Sequence, residues 1–387
     1  MMSKALAAVF IAASVSADPA SVSPAERQIT AARAAIEKSP TSARAYSDLA
    51  FALARRARET SDPAYYVQAD EALDRALATA PDDFEAKKAR AWVLLGRHRF
   101  ADAYALAREL NERAPDDVMV YGLLTDASVE LGRYDEATTS AQWMLDLRPG
   151  NVPGLTRAAY LRELFGDLEG ARELMQMALD QTPPSETEDR AWILTQLGHL
   201  HLLEGHLPRA ERALEEARRL FPGYHYALGN LARVRTAQGR HREAVSLLRE
   251  RQAGADHPEN RFELAEALER AGEKKEARAT FEEFERAARA ESAGPDNANR
   301  ELIFYYTDHA RKADEALRIA AAEAASRQDV FTLDAYAWAL WSRGRKDEAR
   351  RTLEKALAVG VRDPRVLEHA RVMGVRPPAD VASLTRR

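Results

Sequence analysis

The chain has 387 residues, 46% hydrophobic and 30% charged, with a formal net charge of −5 at pH 7. That is ample apolar material for a core, and a surface without basic excess offers no electrostatic reason to bind nucleic acid or anionic lipid. The absence of cysteine excludes disulfides, thiolate metal sites and cysteine nucleophiles.

Lys4, the apolar run Ala5–Val15 and the small-x-small triplet Val15-Ser16-Ala17 read as an export signal over residues 1–17, cleaved after Ala17. The run falls short of the about 20 apolar residues that span a bilayer. The mature chain is therefore expected in the periplasm or the medium, with no membrane insertion after cleavage. Ser23-Pro24-Ala25-Glu26 is a capping box with proline at the first helical position. It opens an N-terminal capping helix within 18–40, whose Ile29, Ala32 and Ile36 would face the first repeat unit.

From residue 41 the chain repeats itself. Pro81, Pro115, Pro149 and Pro183 are evenly spaced, and Ala69, Ala103, Ala137 and Ala171 keep the same step. The alanines continue through Ala210, Ala244, Ala277, Ala316 and Ala349, with glycines in phase at Gly132, Gly166, Gly205, Gly239, Gly272 and Gly344. Each unit reads as two amphipathic helices. In residues 116–149, Val120, Leu123, Leu124, Ala127 and Leu131 recur at helical spacing, Gly132 ends the first helix, and Pro149 ends the second. Residues 41–362 hold about nine such units, and 363–387 form a C-terminal capping helix and tail. Arg365, Glu368 and Arg371 suit an outer, wet face of that helix. The eighth unit lacks the glycine and the proline and places Phe304 where other units have a small residue, so irregular packing is expected there. Extra stretches at 59–65 and 184–190 are expected to point outward, as insertions in repeat arrays do.

Leu124, Gly132, Tyr134, Ala137 and Pro149, together with Gly166, Leu168, Ala171, Met175, Ala178 and Pro183 in the next unit, resemble the tetratricopeptide-repeat family. The resemblance implies an all-α fold: an α-solenoid of antiparallel helix pairs wound into a right-handed superhelix. It further implies a concave groove lined by the first helix of each unit. In that register the wall carries Phe51, Trp92, Asp126, Tyr160, His199, Arg233, Glu266, Tyr305 and Trp338. A second column adds Met119, Trp192, Tyr226 and Phe331, with Trp341 beyond. Tyr and Trp dominate binding hot spots, and Asp126, Arg233, Glu266, Glu301 and Asp334 lie at equivalent positions. The carboxylate-clamping use of such grooves has only Lys88, Asn230 and Arg233 as candidates, scattered over separate units.

No nucleophile elbow, phosphate-cradling glycine loop or zinc-protease motif is present, so no catalytic residue, cofactor or metal ligand is expected. His199, His201 and His206 are the densest titratable cluster. His199 and His201, two residues apart on a helix, point about 200° apart and cannot converge on one ion. Glu282, Glu283 and Glu285 read as a solvated face. The expected function is a non-catalytic scaffold or adaptor of the bacterial envelope that binds another protein, through a peptide or helix held in the aromatic-lined concave groove. A carbohydrate or small-ligand binder using the same rings is the alternative.

Overall fold

The computed structural model describes residues 23–294 and 297–378; the expected signal over residues 1–17 and residues 379–387 of the tail lie outside them. Helix α1 (Pro24–Lys38) caps the array, and its capping box is formed: Ser23 accepts from the Glu26 N–H and Glu26 accepts from the Ser23 N–H. Nine antiparallel pairs come next: α2 (Ala43–Thr60) with α3 (Ala64–Thr79), α4 (Phe84–Gly96) with α5 (Phe100–Arg113), and α6 (Val118–Glu130) with α7 (Tyr134–Leu147). The middle of the array is α8 (Val152–Leu164) with α9 (Leu168–Gln181), α10 (Thr187–Leu203) with α11 (Leu207–Leu220), and α12 (His225–Ala237) with α13 (His241–Gly254). The last three are α14 (Pro258–Arg270) with α15 (Lys274–Glu291), α16 (Asn299–Phe304) with α17 (Ala313–Ser326), and α18 (Val330–Ser342) with α19 (Lys346–Leu357). Helix α20 (Pro364–Met373) closes the series.

Local chemistry sets the boundaries. Asp83, Asp117, Asn151 and Asp363 each accept a hydrogen bond from a first-turn backbone N–H, satisfying donors the helix cannot use itself. The inter-helix turns carry one left-handed residue, glycine in six units. His98 (φ 54°) and Arg311 (φ 54°) occupy the same slot in the second and eighth units. The periodic alanines are buried at helix crossings: Ala103, Ala137, Ala171, Ala210 and Ala244 have no exposed surface. At Gly198 even a methyl is too large, because a Cβ there would lie 2.5 Å from Leu214 Cγ.

The eighth unit is irregular, as Phe304 foretold. Helix α16 has only six residues and passes into a π-helical turn, Tyr305–His309, whose register-shifted bond runs from the Ala310 N–H to the Tyr305 carbonyl at 2.9 Å. Phe304 is turned toward the C-terminal cap, with its ring 4.6 Å from the Arg365 guanidinium and 5.8 Å from the His369 ring.

The array curls until distant units touch. Helix α10 starts at Thr187, so residues 187–190 of the 184–190 stretch extend the helix, and they turn inward, a correction to the outward course expected. This brings Glu186, Glu188 and Asp189 to Arg55 and Arg58 on α2, which runs long into the other insertion. Arg55 lies 2.9 Å from Glu186 and Arg58 lies 2.7 Å from Asp189, while Arg58 also holds Glu188. Farther along, the turn between α6 and α7 meets the segment before α18. The Gln328 N–H donates to the Glu130 carbonyl at 3.0 Å, and the Val330 N–H donates to the Tyr134 hydroxyl at 3.0 Å. A Cβ on Gly166 would stand 2.6 Å from the Gly360 carbonyl.

Candidate binding cavity

The curl deepens the expected open groove into a half-open lumen. It holds a cavity of about 840 Å³ walled by the first helices of the fourth to ninth units and floored by the segment leading into α20. His199, Arg233 and Glu266 line it, together with Phe262 and Phe331. A smaller cavity of about 260 Å³ lies near the second closure and is lined by Asp126, Tyr160, Glu130, Arg157 and Arg327.

Most charges in the lumen are already matched. Arg233 and Arg251 both hold Glu263; burial opposes its charge, but the two guanidiniums bring its pKa down to about 2. Arg365 grips both oxygens of Glu266 at 3.0 and 3.1 Å, so it faces inward and not toward the wet outer face expected of it. His199 Nε2 lies 3.1 Å from Glu163, and Asp126 is paired with Arg157 at 2.6 Å. Asp334 is buried and lies 2.8 Å from His369 Nδ1, and Arg300 lies 3.0 Å from Glu301. Two cations are different. Arg270 is 3.6 Å from Glu266, whose oxygens Arg365 already occupies. Arg362 has no hydrogen bond or ion pair among the described residues.

The aromatic column does not form one surface. Phe51 and Trp92 meet edge to face, with centroids 5.5 Å apart, at the far end of the array, and Trp92 is 36% exposed. Trp192 and Tyr226 pack against the core of the fifth and sixth units. Tyr226 stands 3.9 Å from the His225 ring. Tyr305 does not belong on the wall: the π-helical turn carries it into the core, where it stacks on Phe281 at 5.4 Å. Trp338 is held from both sides, donating Nε1–H to Asp308 at 2.6 Å and lying flat on His369 with centroids 4.2 Å apart. Tyr160 remains accessible at 37% exposure, and burial of its hydroxyl near Glu130 and Glu163 keeps the phenol well above its usual range. Of the expected clamp residues, Lys88 is buried between Glu85 and Asp117 at 3.0 and 2.8 Å.

Sequence reasoning missed Arg270, Arg362 and the segment that floors the cavity. The helical register around Arg270 was legible. That Arg362 belongs to the lumen is decided only by the way α20 folds back. The histidine cluster also divides in an unforeseen way. His199 faces the lumen, whereas His201 and His206 converge on Glu204, and burial lowers the His201 pKa.

This arrangement of stacked antiparallel helix pairs around a lumen defines the class of the molecule, an α-solenoid. Models of the tetratricopeptide repeat match residues 124–186, 195–258 and 259–287, so these segments carry tetratricopeptide repeats, and the helix pairs on either side continue the same arrangement. No curated protein matches it in sequence. Among solved structures it is similar to a chain of the APC/C hetero-tetramer Cut9-Hcn1, with 14% identity, a TM-score of 0.51 and 90% of this chain covered. The chain spans 58% of the length of that one. It is also similar to human IFIT1, solved as a dimer with m7Gppp-AAAA, with 12% identity, a TM-score of 0.54 and 87% and 86% of the two chains covered. At such identities the likeness is one of fold. No described helix is long and apolar enough to cross a membrane.

Proposed function

We propose that this protein is a non-catalytic interaction scaffold of the bacterial envelope that captures an extended acidic segment of a partner protein in its lumen. The observation that carries the reading is the pair Arg270 and Arg362. Both are cations on the wall of an 840 Å³ cavity whose other charges are largely matched. A carboxylate entering the cavity would meet guanidinium donors from two sides, and charge-assisted hydrogen bonds to guanidinium are among the stronger ones. Val361, Phe262 and Phe331 supply apolar wall for the residues beside it. The envelope location rests on the pattern of residues 1–17. The carbohydrate alternative loses its support, because Tyr305 is in the core and Trp338 is covered by His369.

Peptides selected on the full chain from a random display library test the reading. Selected sequences should be rich in Asp or Glu. Their binding should be lost in Arg270→Ala/Arg362→Ala and kept in Trp143→Ala, which alters an exposed ring on the second helix of the third unit. Selection of neutral peptides, or binding indifferent to the double substitution, would overturn it. A single-stranded RNA titrated in parallel reveals a polyanion site if it binds and competes.

A further inference from the structure

We propose that His201, Glu204 and His206 form a binding site for a divalent transition-metal ion of the zinc class. The three side chains lie where α10 ends and α11 begins. Their ligand atoms all fall within 4.8 Å of one another. His201 Nδ1 is 3.3 Å, and His206 Nδ1 is 3.2 Å, from the same Glu204 oxygen, Oε2. In a tetrahedral site with metal–ligand bonds of about 2.0–2.1 Å, neighbouring ligand atoms are ~3.3 Å apart. The two observed separations are those of tetrahedral edges, so small side-chain rotations would admit an ion.

The backbone prepares this arrangement. His201 and Glu204 are three apart and share a face of the last turn of α10. Gly205 then takes φ 76°, a left-handed conformation open to glycine at little cost. That reversal lets the His206 N–H donate to the His201 carbonyl at 2.8 Å. The two histidines are thus tied by a main-chain bond. The helical argument that separates His199 from His201 does not apply to His206, which lies beyond the reversal.

Two imidazole nitrogens and one carboxylate oxygen suit zinc better than calcium or magnesium, which prefer all-oxygen shells. Three protein ligands leave one position, and His206, 51% exposed at its side chain, leaves that position open to water. Arg172 and Arg209 are cations that act on His201, and Arg172 Nε is 3.6 Å from Glu204 Oε2. That is beyond hydrogen-bonding distance, so the oxygen stays available to the imidazole side. A bound ion would pin the end of α10 to the start of α11 at the rim of the lumen, where Gly205 and Leu207 lie.

The test is a zinc titration of the EDTA-treated full chain at neutral pH against a chromophoric chelator. One ion per chain is expected. His206→Ala, an exposed position that spares the fold, should weaken binding roughly tenfold or more, and Glu204→Gln likewise. His199→Ala should bind as the wild type does. Cobalt should give the visible bands of tetrahedral coordination, lost in His206→Ala. Absence of stoichiometric zinc uptake, or equal affinity in His206→Ala, would overturn the assignment.

Discussion

Glu188, in the first turn of α10, has no exposed surface and is held by Arg58 of α2, a helix 130 residues earlier in the chain. Tyr224 donates its hydroxyl to the same carboxylate at 2.6 Å, and His225 Nε2 donates to the Arg58 carbonyl at 2.9 Å. Four residues thus fasten the first unit to the fifth and sixth. Removing one member of a buried pair leaves an uncompensated charge and typically costs about 3–5 kcal/mol. Arg58→Ala is therefore expected to lower the melting temperature strongly and to speed hydrogen exchange in α1–α3 before the rest of the chain. Exchange that stays uniform would show that this contact does not close the array.

The second closure depends on Gly132. Its φ of 71° disfavours any side chain, and a Cβ there would also stand 2.7 Å from the Gln328 carbonyl. Gly239 has φ 74° with nothing within 4 Å of a Cβ. Both alanine variants bear a left-handed cost of roughly 1–2 kcal/mol. Gly132→Ala should lose about 1 kcal/mol or more beyond Gly239→Ala, since a clash with backbone cannot relax cheaply. Equal denaturation midpoints would remove the inter-unit contact from the argument.

Glu130 sits in that closure against Arg327, with Asp329, Arg300 and Asp126 also acting on it. Burial raises its pKa from 4.5 to about 7. Between those values the folded chain keeps a proton that the unfolded chain has released. Its contribution to stability is thus lost as pH rises through that window, by at most about 1.4 kcal/mol per pH unit. Glu130→Gln should flatten the fall in urea-unfolding free energy from pH 4.5 to pH 7. An unchanged slope would assign it to other groups.

His225 has the opposite sign. Burial lowers its pKa from 6.5 to about 4, so in that interval the unfolded chain binds a proton that the folded chain refuses. Stability is complete above pH 6.5 and is lost as pH falls toward 4. In His225→Gln the acid limb of the stability profile should become shallower, which the same unfolding series measures.

Trp338 and His369 stack with planes 11° apart, joining the last unit to its cap. Trp338→Ala is expected to destabilise by on the order of 3 kcal/mol while leaving peptide capture by the folded fraction intact. Selective loss of binding with an unchanged melting temperature would return this residue to the groove.

Much of the fold was legible because its causes are local. The capping box at Ser23, the left-handed turn glycines and the buried alanines each act within a few residues or between adjacent helices, and a period makes them visible. Phe304 was readable for the same reason: one large side chain at a crossing reserved for small ones signalled irregular packing, though not the shortened α16 or its π-helical turn. The lining of the lumen was only partly legible. The register placed His199, Arg233 and Glu266 on the lumen. It could not show that Arg365 would take Glu266, that His369 would cover Trp338, or that the π-helical turn would carry Tyr305 inward.

The sequence by itself determined the repeating unit, since propensity, capping and small-residue crossings are decided by neighbours along the chain or one helix away. Only the tertiary structure decided where Arg58 meets Glu188, where Gln328 meets Gly132, and which wall charges find close partners. Those meetings depend on the small rotation between successive units summed over several of them. No window of sequence contains that sum.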